Sequence, residues 1–426
     1  MPRTSKALWI PIIWVFLACS RPVSLWLHIQ QVGASVDAQL EGSPLDRNVF
    51  TALIASAISV LAVRRRKVAL RLRANVPLLL FLFYCGLSIF WSDFPDVAFK
   101  RWIRAVGDIA MVLVVLTDPS PSTAVKKFLA RAAFVIVPLS ILFDLGRGYG
   151  LGYHVGLTIS NKNLYGAVSM ILALGAVWRF QTIFRGGERK GRTRGLLAHG
   201  SIAAMAMWSI WWANSGTAKA CFLLGIFSIV VMTRWSLARK PAVVHAVVAS
   251  LVFLSMYASI INPDAGVVSA MGKDPTLTGR TEVWSTVLRM NPSALFGAGF
   301  ESFWLGSRLK ELWNKFVWRP NEAHNGYIEV YLNLGWVGVI LLAVVIVNGY
   351  RRVVNGFRQD RGTGSLWLAY FVVVVVYNLT EAGFRIFSPT WIAFLLSISV
   401  GFTIKREKAG TQPATAVQWH YSKTCA

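Results

Sequence analysis

Residues 323–350 read AHNGYIEVYLNLGWVGVILLAVVIVNGY, and they join a polar motif directly to an apolar run. From Leu334 to Val347 no residue is charged, as a helix requires where it crosses the hydrocarbon core of a bilayer. A bilayer offers no water to the backbone, so each span has to close its hydrogen bonds within its own helix. The stretch therefore predicts a transmembrane helix whose entrance carries His324.

Similar apolar runs recur along the whole chain. Of its 426 residues, 55% are hydrophobic and 15% are charged, whereas roughly a quarter of the residues of a soluble protein are charged. We predict an all-α polytopic membrane protein with about twelve transmembrane helices and one long extracytoplasmic loop. The predicted spans are 7–27, 49–63, 76–91, 102–117, 132–145, 164–181, 196–213, 218–234, 242–262, 327–350, 366–381 and 388–404.

The net charge of +25 is concentrated in the loops on one side of these spans. By the positive-inside rule that side is the cytoplasm, so both termini are predicted to be cytoplasmic. No nucleic-acid-binding motif accompanies the charge, and we expect these loops to contact membrane lipid and no nucleic acid. The basic groups are Arg64-Arg65-Arg66-Lys67, Arg71, Arg73, Lys126-Lys127, the residues from Arg185 to Arg194, Arg234, Arg239-Lys240, Arg351-Arg352, Arg358, Arg361 and Lys405-Arg406.

The opposite side carries one long segment, which divides the chain into four parts. Residues 1–262 hold transmembrane helices 1–9, 263–326 form an extracytoplasmic catalytic loop, 327–404 hold helices 10–12, and 405–426 form a cytoplasmic tail. Within the loop, Leu309 to Phe316 has a helical pattern, and four tryptophans predict a folded cap. The tail after Lys408 is predicted to be disordered.

Cations on this outer side are candidates for holding a phosphate group, because arginine offers a planar fork of donors with a permanent charge. Arg280 stands out because it shares its loop with His324. For Arg308, Lys310 and Arg319 we instead expect contacts with lipid headgroups. The remaining outer candidates are Lys100, Arg101, Arg104, Lys162, Lys219 and Arg289.

His324 is the candidate for proton transfer, since an unperturbed imidazole titrates near neutrality. Glu322, Glu329 and Glu381 are candidates to orient the imidazole or to act as bases. Glu381 ends a span that is otherwise apolar, so we expect it to be paired with Arg280 or Arg385. From the residues alone, a structural ion pair at Glu381 and a catalytic role remain equally open.

Several chemistries lack their sequence motifs. The chain has no HExxH, no CxxC pair, no phosphate-binding GxxxxGK and no GxSxG. Asp93-Phe94-Pro95-Asp96 is the pattern of a turn more than of a metal site. We therefore expect no metal and no cofactor.

Three motifs together resemble the signature of the O-antigen ligase and polymerase superfamily. They are Thr278-Gly279-Arg280 with Trp284, Ala323-His324-Asn325-Gly326-Tyr327 with Leu334-Gly335, and Ser160-Asn161-Lys162-Asn163-Leu164-Tyr165-Gly166, with Phe90-Trp91-Ser92 as a further match. The matches span roughly residues 85–335. The Asn333-Leu334-Gly335 ending is most similar to that of ExoQ-type exopolysaccharide polymerases, whereas many ligases have glutamate at the position of Asn333.

The resemblance implies a membrane glycosyltransferase of the GT-C class in the bacterial inner membrane, with its active site on the periplasmic side. Its donor would be an undecaprenyl-diphosphate-linked oligosaccharide, used without metal, and its acceptor a growing glycan. A chain-length regulator and export machinery are further partners that it implies. Arg280 and His324 take the catalytic positions, with Arg280 on the diphosphate. The candidates for substrate binding are Lys162, Asn163, Lys219, Arg101, Arg104, Asn325, Glu329 and Glu381.

Two other functions stay open at this point. A ligase would use the same donor and transfer the glycan to a lipid or protein acceptor. A transporter or flippase would move the lipid-linked sugar without forming a bond, and would place polar groups near the middle of several spans. The polar candidates lie on one face instead, and this favours an enzyme in which Arg280 holds the diphosphate while His324 positions or deprotonates the acceptor hydroxyl.

Overall fold

The computed structural model describes residues 4–27, 29, 42–146, 162–186, 191–234, 240–256 and 279–410. Throughout this part the secondary structure is helical, without a β-strand, and short 3-10 turns flank two of the helices. The α-helices in chain order are α1 (Trp9–Cys19), α2 (Val23–Trp26), α3 (Pro44–Val63), α4 (Arg65–Ala74), α5 (Val76–Leu87), α6 (Pro95–Leu116), α7 (Pro121–Gly146), α8 (Lys162–Phe184), α9 (Arg192–Trp212), α10 (Gly216–Arg234), α11 (Pro241–Met256), α12 (Arg280–Arg289), α13 (Gly306–Lys315), α14 (Gly326–Gln359), α15 (Arg361–Tyr377) and α16 (Pro389–Gly410).

A helix occupies each of the twelve predicted positions, but fewer of them are long and apolar enough to cross a membrane. Within the described ranges five helices meet that standard, namely α3, α7, α8, α10 and α14, and six do if the bent pair α4–α5 counts as one. The chain is thus all-helical in its described part and has the apolar helices of a membrane protein. Several others are only 10–17 residues long where they are apolar, and α6 carries Lys100, Arg101, Arg104 and Asp108.

Several predicted boundaries are wrong, each for a local reason. The first predicted span, 7–27, is interrupted because α1 ends at Cys19 and Pro22 precedes the separate short helix α2. Helix α6 begins at Pro95, well before the predicted residue 102, because proline suits the first turn of a helix. Helix α15 ends at Tyr377, so Glu381 lies in the turn beyond the helix and not in its last turn.

The bundle is packed around α8 and α15. Helix α8 lies against α7, α9 and α10, and α15 lies against α10, α14 and α16. Their facing side chains are almost all apolar, and Tyr165, Met170 and Tyr370 are completely buried. Burial of this extent fixes the helix ends, including the start of α8 and the turn after α15, where the polar candidates lie.

A second apolar cluster forms the core of residues 279–325, which we call the cap. Helix α12 contributes Val283 and Val287, α13 contributes Leu309 and Leu312, and the rest comes from the intervening chain and the start of α14. The predicted helix at Leu309–Phe316 is found as α13. The cap is therefore a folded unit with its own core, as its tryptophan content predicted.

The cap is locked to α14 at a break in that helix. Gly335 has a φ of +62°, inside a helix otherwise continuous from Gly326. A Cβ there would overlap the backbone of Leu295 and Phe296, so only glycine admits this close approach. Trp336 N donates to the carbonyl of Ala294 at 2.9 Å across the same junction. The break therefore lets the cap chain at Leu295 and Phe296 pack directly on the backbone of α14.

Some predicted features lie outside the described residues. These are Thr278, Ser160 and Asn161 of the motifs, residues 263–278 of the predicted loop, and the predicted disordered tail from residue 411 onward. The structural description of the loop accordingly begins at Gly279.

Candidate functional site

Residues 323–327 form the loop that enters α14, and the sequence dictates its shape. Asn325 caps the helix, since its Oδ1 accepts from the backbone N–H groups of Tyr327 at 3.0 Å and Ile328 at 3.1 Å. His324, just before the cap, has a φ of +49°. A non-glycine residue rarely adopts this left-handed conformation, and it is found most often where surrounding contacts impose it. The imidazole is therefore presented at a fixed point in front of the helix.

The same loop is tied to the turn that follows α15. Asn325 Nδ2 donates to the carbonyl of Leu379 at 3.0 Å, and Gly326 N donates to that of Asn378 at 2.9 Å. A Cβ at Gly326 would overlap the Asn378 carboxamide, so this contact explains the glycine of the motif. Glu381 belongs to this turn, and the two contacts bring it beside His324.

Helix α12 adds the second motif to the same place. Trp284 Nε1 donates to the carbonyl of Ala323 at 2.6 Å. Arg280, the first residue of α12, donates from Nη2 to Glu381 Oε1 at 2.9 Å and from Nη1 to the carbonyl of Thr380. The expected pairing of Glu381 with Arg280 is confirmed, and both motifs meet at this carboxylate.

Ion pairs extend this meeting point into a chain of alternating charges, which we call the charge chain. His324 Nδ1 lies 3.0 Å from Glu381 Oε2 and 3.1 Å from Glu322 Oε1. Beyond Glu322, Arg385 reaches two carboxylates, at 3.2 Å and 3.3 Å. In order of contact the chain runs Arg280, Glu381, His324, Glu322, Arg385 and Glu301.

The two carboxylates set the protonation of His324. Burial acts to lower the pKa of His324, but hydrogen bonds and charges from Glu322 and Glu381 outweigh it and raise the pKa to about 9. Burial likewise acts to raise the pKa of Glu322, yet the nearby His324 and Arg385 bring it below its ordinary value. Because Nδ1 faces the carboxylates, Nε2 is the ring atom left for a substrate. A carboxylate partner of this kind orients an imidazole and strengthens it as a base.

A cavity of about 750 Å³ adjoins the charge chain. One end is polar, and the other is walled by apolar side chains of α1 and α8. Its lining includes Ala18, Asn163, Leu164, Ala167, Glu322, Glu381, Arg385 and Phe387.

A second cavity, of about 590 Å³, lies between α5, α6, α14 and α16. It is largely apolar, with Glu301, Glu329, Asn333 and Arg385 at its polar end. Arg385 thus lines both cavities.

The ligand atoms of Glu322, His324 and Glu381 all lie within 4.8 Å of one another, a spacing that suits a metal ion. Two arginines, Arg280 and Arg385, already bind these carboxylates. Their charges disfavour a second cation at the same oxygens, and the raised pKa of His324 favours a proton on Nδ1. The donor set therefore fits a shared proton better than a metal.

The other predicted substrate-binding residues are distributed unevenly around the charge chain. Asn163 contacts the charge chain, because its Nδ2 donates to Glu381 Oε2 at 2.8 Å. Lys162, one residue earlier, is exposed at the start of α8. Lys219 Nζ lies 3.3 Å from Asn214 Oδ1 and over the ring of Trp211.

Two predicted arginines lie on α6. Arg101 donates to the carbonyl of Glu301, which places it at the far end of the charge chain. The guanidinium of Arg104 lies over the rings of Phe50 and Phe387, at 5.7 Å and 5.6 Å from their centroids. The structure thus brings Arg101 toward the charge chain and leaves Arg104 among aromatic side chains.

Glu329 and Asn333, both on α14, form hydrogen bonds with groups of the cap. Glu329 is buried and accepts from Trp304 Nε1 at 2.9 Å and from the backbone of Ala323. Asn333 Oδ1 accepts from the backbone N–H groups of Ser302 at 2.8 Å and Phe303 at 3.1 Å. Like Asn325, these side chains form their hydrogen bonds with other groups of the protein. A positioning role therefore fits them best.

Two features of the site differ from what the sequence indicated. Arg308, expected at lipid headgroups, forms an ion pair with Asp93 at 2.7 Å, which explains part of the DxxD pattern. Of the two partners expected for Glu381, Arg280 is the one that binds it, and Arg385 binds Glu322 and Glu301. Glu301 was missed altogether, and no local signal marks it, since only the fold brings it to Arg385 across about 84 positions of the chain.

Two comparisons with known proteins show what this chain is similar to. Residues 200–343 match the model of the O-antigen ligase family, a range that contains Arg280, His324 and the entrance of α14. The chain is also 26% identical over 364 residues to the exopolysaccharide production protein ExoQ of Rhizobium meliloti (strain 1021), covering 78% of this chain and 80% of that protein. These matches confirm the resemblance to the O-antigen ligase and polymerase superfamily. They support its resemblance to the ExoQ-type branch and, with the apolar helices, a multi-pass membrane protein.

Proposed function

We propose that this protein polymerises polyprenyl-diphosphate-linked oligosaccharide repeat units into exopolysaccharide. The reaction is an inverting glycosyl transfer at the outer face of the bacterial inner membrane. The observation that carries this proposal is the His324 imidazole, held between two carboxylates next to Arg280 and a cavity of about 750 Å³. Proton transfer and anion binding are the two functions that this reaction needs from the protein, and this arrangement supplies both.

Arg280 binds the diphosphate of the donor. A guanidinium has five N–H donors, and the contacts to Glu381 and Thr380 engage only part of them. The remaining donors stabilise the charge that develops on the diphosphate as the bond to the anomeric carbon breaks. The apolar walls of the cavity, formed by α1 and α8, suit the part of the donor nearest its lipid.

His324 Nε2 acts as the base toward the acceptor. The acceptor hydroxyl oxygen forms a bond to the anomeric carbon, the carbon–oxygen bond to the diphosphate breaks, and the diphosphate leaves with the electron pair. The hydroxyl proton passes to Nε2, while Nδ1–H stays on the carboxylates of Glu322 and Glu381. Because diphosphate is already a good leaving group, orientation and charge stabilisation account for most of the rate.

We also propose the finer topology: twelve spans of the GT-C type, both termini in the cytoplasm and the cap outside. The exposed residues Val317, in the cap, and Lys240, before α11, test it as introduced cysteines in a chain with Cys425 replaced by serine. The three cysteines that remain, Cys19, Cys85 and Cys221, are all buried. A membrane-impermeant thiol reagent is expected to label Val317→Cys in spheroplasts and Lys240→Cys only after lysis. The reverse pattern would place the cap inside the cell.

The direct test is reconstitution of the purified protein in liposomes with a lipid-linked oligosaccharide and a chelator, with products resolved by size. A ladder of polymer is expected from the wild type. His324→Ala and Arg280→Ala are expected to lose it while inserting normally. Matched controls are His245→Ala, whose imidazole contacts Tyr350, and Arg289→Ala, exposed on the same helix as Arg280.

Each alternative function gives a different product. A ligase would consume the same donor and form a single conjugate with a lipid or protein acceptor, without a ladder. A transporter would leave the donor intact and move it to the other leaflet. Polymer of normal length from His324→Ala and Arg280→Ala would refute the proposed mechanism.

A further inference from the structure

Trp318 is the exposed aromatic side chain nearest to the imidazole among the contacts of the described residues. Its side chain is 47% exposed, and the neighbouring Val317 is 98% exposed. The ring centroids of Trp318 and His324 lie 6.0 Å apart, with the planes inclined by only 32°. A large apolar side chain that is exposed to solvent next to a reactive group is best explained by a ligand that covers it.

The chain around Trp318 is built to hold it in this position. Phe316, buried in the core of the cap, begins a tight turn that closes with Arg319 N donating to the carbonyl of Phe316 at 2.9 Å. Arg319 has a φ of +49°, and its guanidinium stacks 5.6 Å from the centroid of Trp313. Trp313 Nε1 in turn donates to the carbonyl of Pro320 at 3.0 Å. The chain on both sides of the exposed Trp318 is therefore held in place.

His324 consequently has two different surroundings. Its carboxylate partners face the cavity walled by α1 and α8, which suits a donor that arrives with a lipid. Trp318 lies against the imidazole ring within the cap, where its exposed side chain can meet a molecule arriving from water. The acceptor end of a growing glycan is such a molecule, because its reacting terminus is sugar alone.

We propose that Trp318 is the platform on which the terminal sugar of the acceptor glycan stacks, an inference that rests on the proposed function. A pyranose ring has an apolar face of C–H groups, and these pack against the electron-rich face of an indole. A sugar stacked there lies beside the imidazole, with its hydroxyl groups directed toward His324. Trp318 is thus a specificity-determining residue for the acceptor, and Arg280 serves the donor.

The test separates glycan binding from catalysis. The delipidated repeat-unit oligosaccharide, released by mild acid from the lipid-linked donor, is titrated into detergent-purified protein by calorimetry. Trp318→Ala is expected to weaken its binding about five- to tenfold, and Trp318→Tyr to retain most of it. Trp9→Ala is the control, since Trp9 is 48% exposed and lies over Arg131, away from the cap.

A kinetic measurement supplements the binding titration. With the acceptor concentration varied, Trp318→Ala is expected to raise its KM by a similar factor, with kcat and the pH profile nearly unchanged. A structural disturbance of His324 would instead move kcat and the pH profile together.

Three outcomes would overturn the inference: equal affinity of Trp318→Ala and the wild type, equal loss in Trp9→Ala, or no binding of the oligosaccharide by the wild type. A loss of vesicle association in Trp318→Ala, with glycan affinity intact, would assign the side chain to the bilayer interface and overturn it as well. These outcomes are distinct from failure of the proposed function, which would appear as polymer formation by His324→Ala.

Discussion

Two buried carboxylates at the entrance of α14 differ in what surrounds them. Glu381 binds the cationic Arg280 and the imidazole of His324, and it lines the cavity of about 750 Å³. Glu329 is equally buried, but its hydrogen-bond donors are neutral: the indole of Trp304 and the backbone of Ala323. Burial alone therefore does not identify a reactive carboxylate. Both carboxylates line a cavity, so it is the charged partners that distinguish Glu381, whereas Glu329 has the contacts of a structural clamp.

The largest expected effect is that of Glu381→Gln. An amide keeps the size of the side chain but removes the charge that orients His324 Nδ1 and pairs with Arg280. We expect kcat to fall on the order of 10³-fold, less than the roughly 10⁴-fold loss of a triad histidine deprived of its one carboxylate, because Glu322 still contacts His324. The measurement is single-turnover polymer formation, with membrane insertion and thermal stability checked in parallel.

Glu329→Gln is the matched control for this substitution, since it makes the same change at the same depth. Its kcat is expected to stay within a few-fold of the wild type. If both variants lost kcat equally, the distinction between a reactive and a structural carboxylate would be wrong.

The second effect is the pH dependence that the charge chain gives to His324. A base works in its deprotonated form, and its pKa in the resting protein is raised to about 9. Only about 1% of the imidazole is then neutral at pH 7, so kcat/KM is expected to rise about tenfold per pH unit and to level off near 9. Between pH 7 and 9 the gain is about 50-fold, because half of the imidazole is still protonated at pH 9.

Glu322→Gln sharpens this test, because it removes one of the two carboxylates that raise the pKa of His324. The plateau of its profile is expected at a lower pH than that of the wild type. A profile that falls as the pH approaches 9 would mean that the imidazolium acts as a hydrogen-bond donor, and the base role would be abandoned.

The sequence predicted the helical class and the key pair of residues because both leave local signals. Apolar runs mark the positions of the helices, and the two motifs around Arg280 and His324 lie in the loop that the structure shows as the cap. That Glu381 would be paired with Arg280 or Arg385 could also be predicted, since a carboxylate at the end of an apolar span needs a partner, and the structure shows Arg280.

The rest depends on contacts between distant parts of the chain, which leave no local pattern. Arg385 binds Glu301 across a separation of 84 positions, and Asn163 binds Glu381 across 218. Asn325 shows a related difficulty, because a polar residue in a motif may bind a substrate or cap a helix. Only the geometry showed that its carboxamide caps α14 and holds the turn after α15.

The third effect is on the stability of the protein, and it concerns Glu329. Glutamine at this position retains a single acceptor oxygen, so it cannot satisfy both Trp304 and Ala323 as the carboxylate does. A buried donor left without its acceptor costs about 1–3 kcal/mol. We expect Glu329→Gln to lower the thermal unfolding temperature of the detergent-solubilised protein, and Glu381→Gln to lower it less. The opposite order would make Glu381 the structural member of the two.

The smallest effect is expected for Arg385→Lys. One guanidinium reaches Glu322 at 3.2 Å and Glu301 at 3.3 Å through its two Nη atoms, whereas an ammonium offers a single nitrogen and cannot keep both contacts. Glu322 then loses its fixed orientation, but Glu381 still holds His324, so kcat should fall only roughly 3- to 10-fold.

Arg308→Lys is the matched control for this last substitution, since Arg308 pairs with Asp93 in the cap, outside the charge chain. A loss at Arg385 as large as that of Glu381→Gln would indicate that Arg385 itself touches the substrate, which its place between the two cavities allows. An unchanged kcat would mean that Glu322 is oriented without Arg385. The part of the charge chain that contributes to catalysis would then end at Glu322. Either result would change which carboxylates are assigned to act on His324 and which are assigned to hold the cap in place.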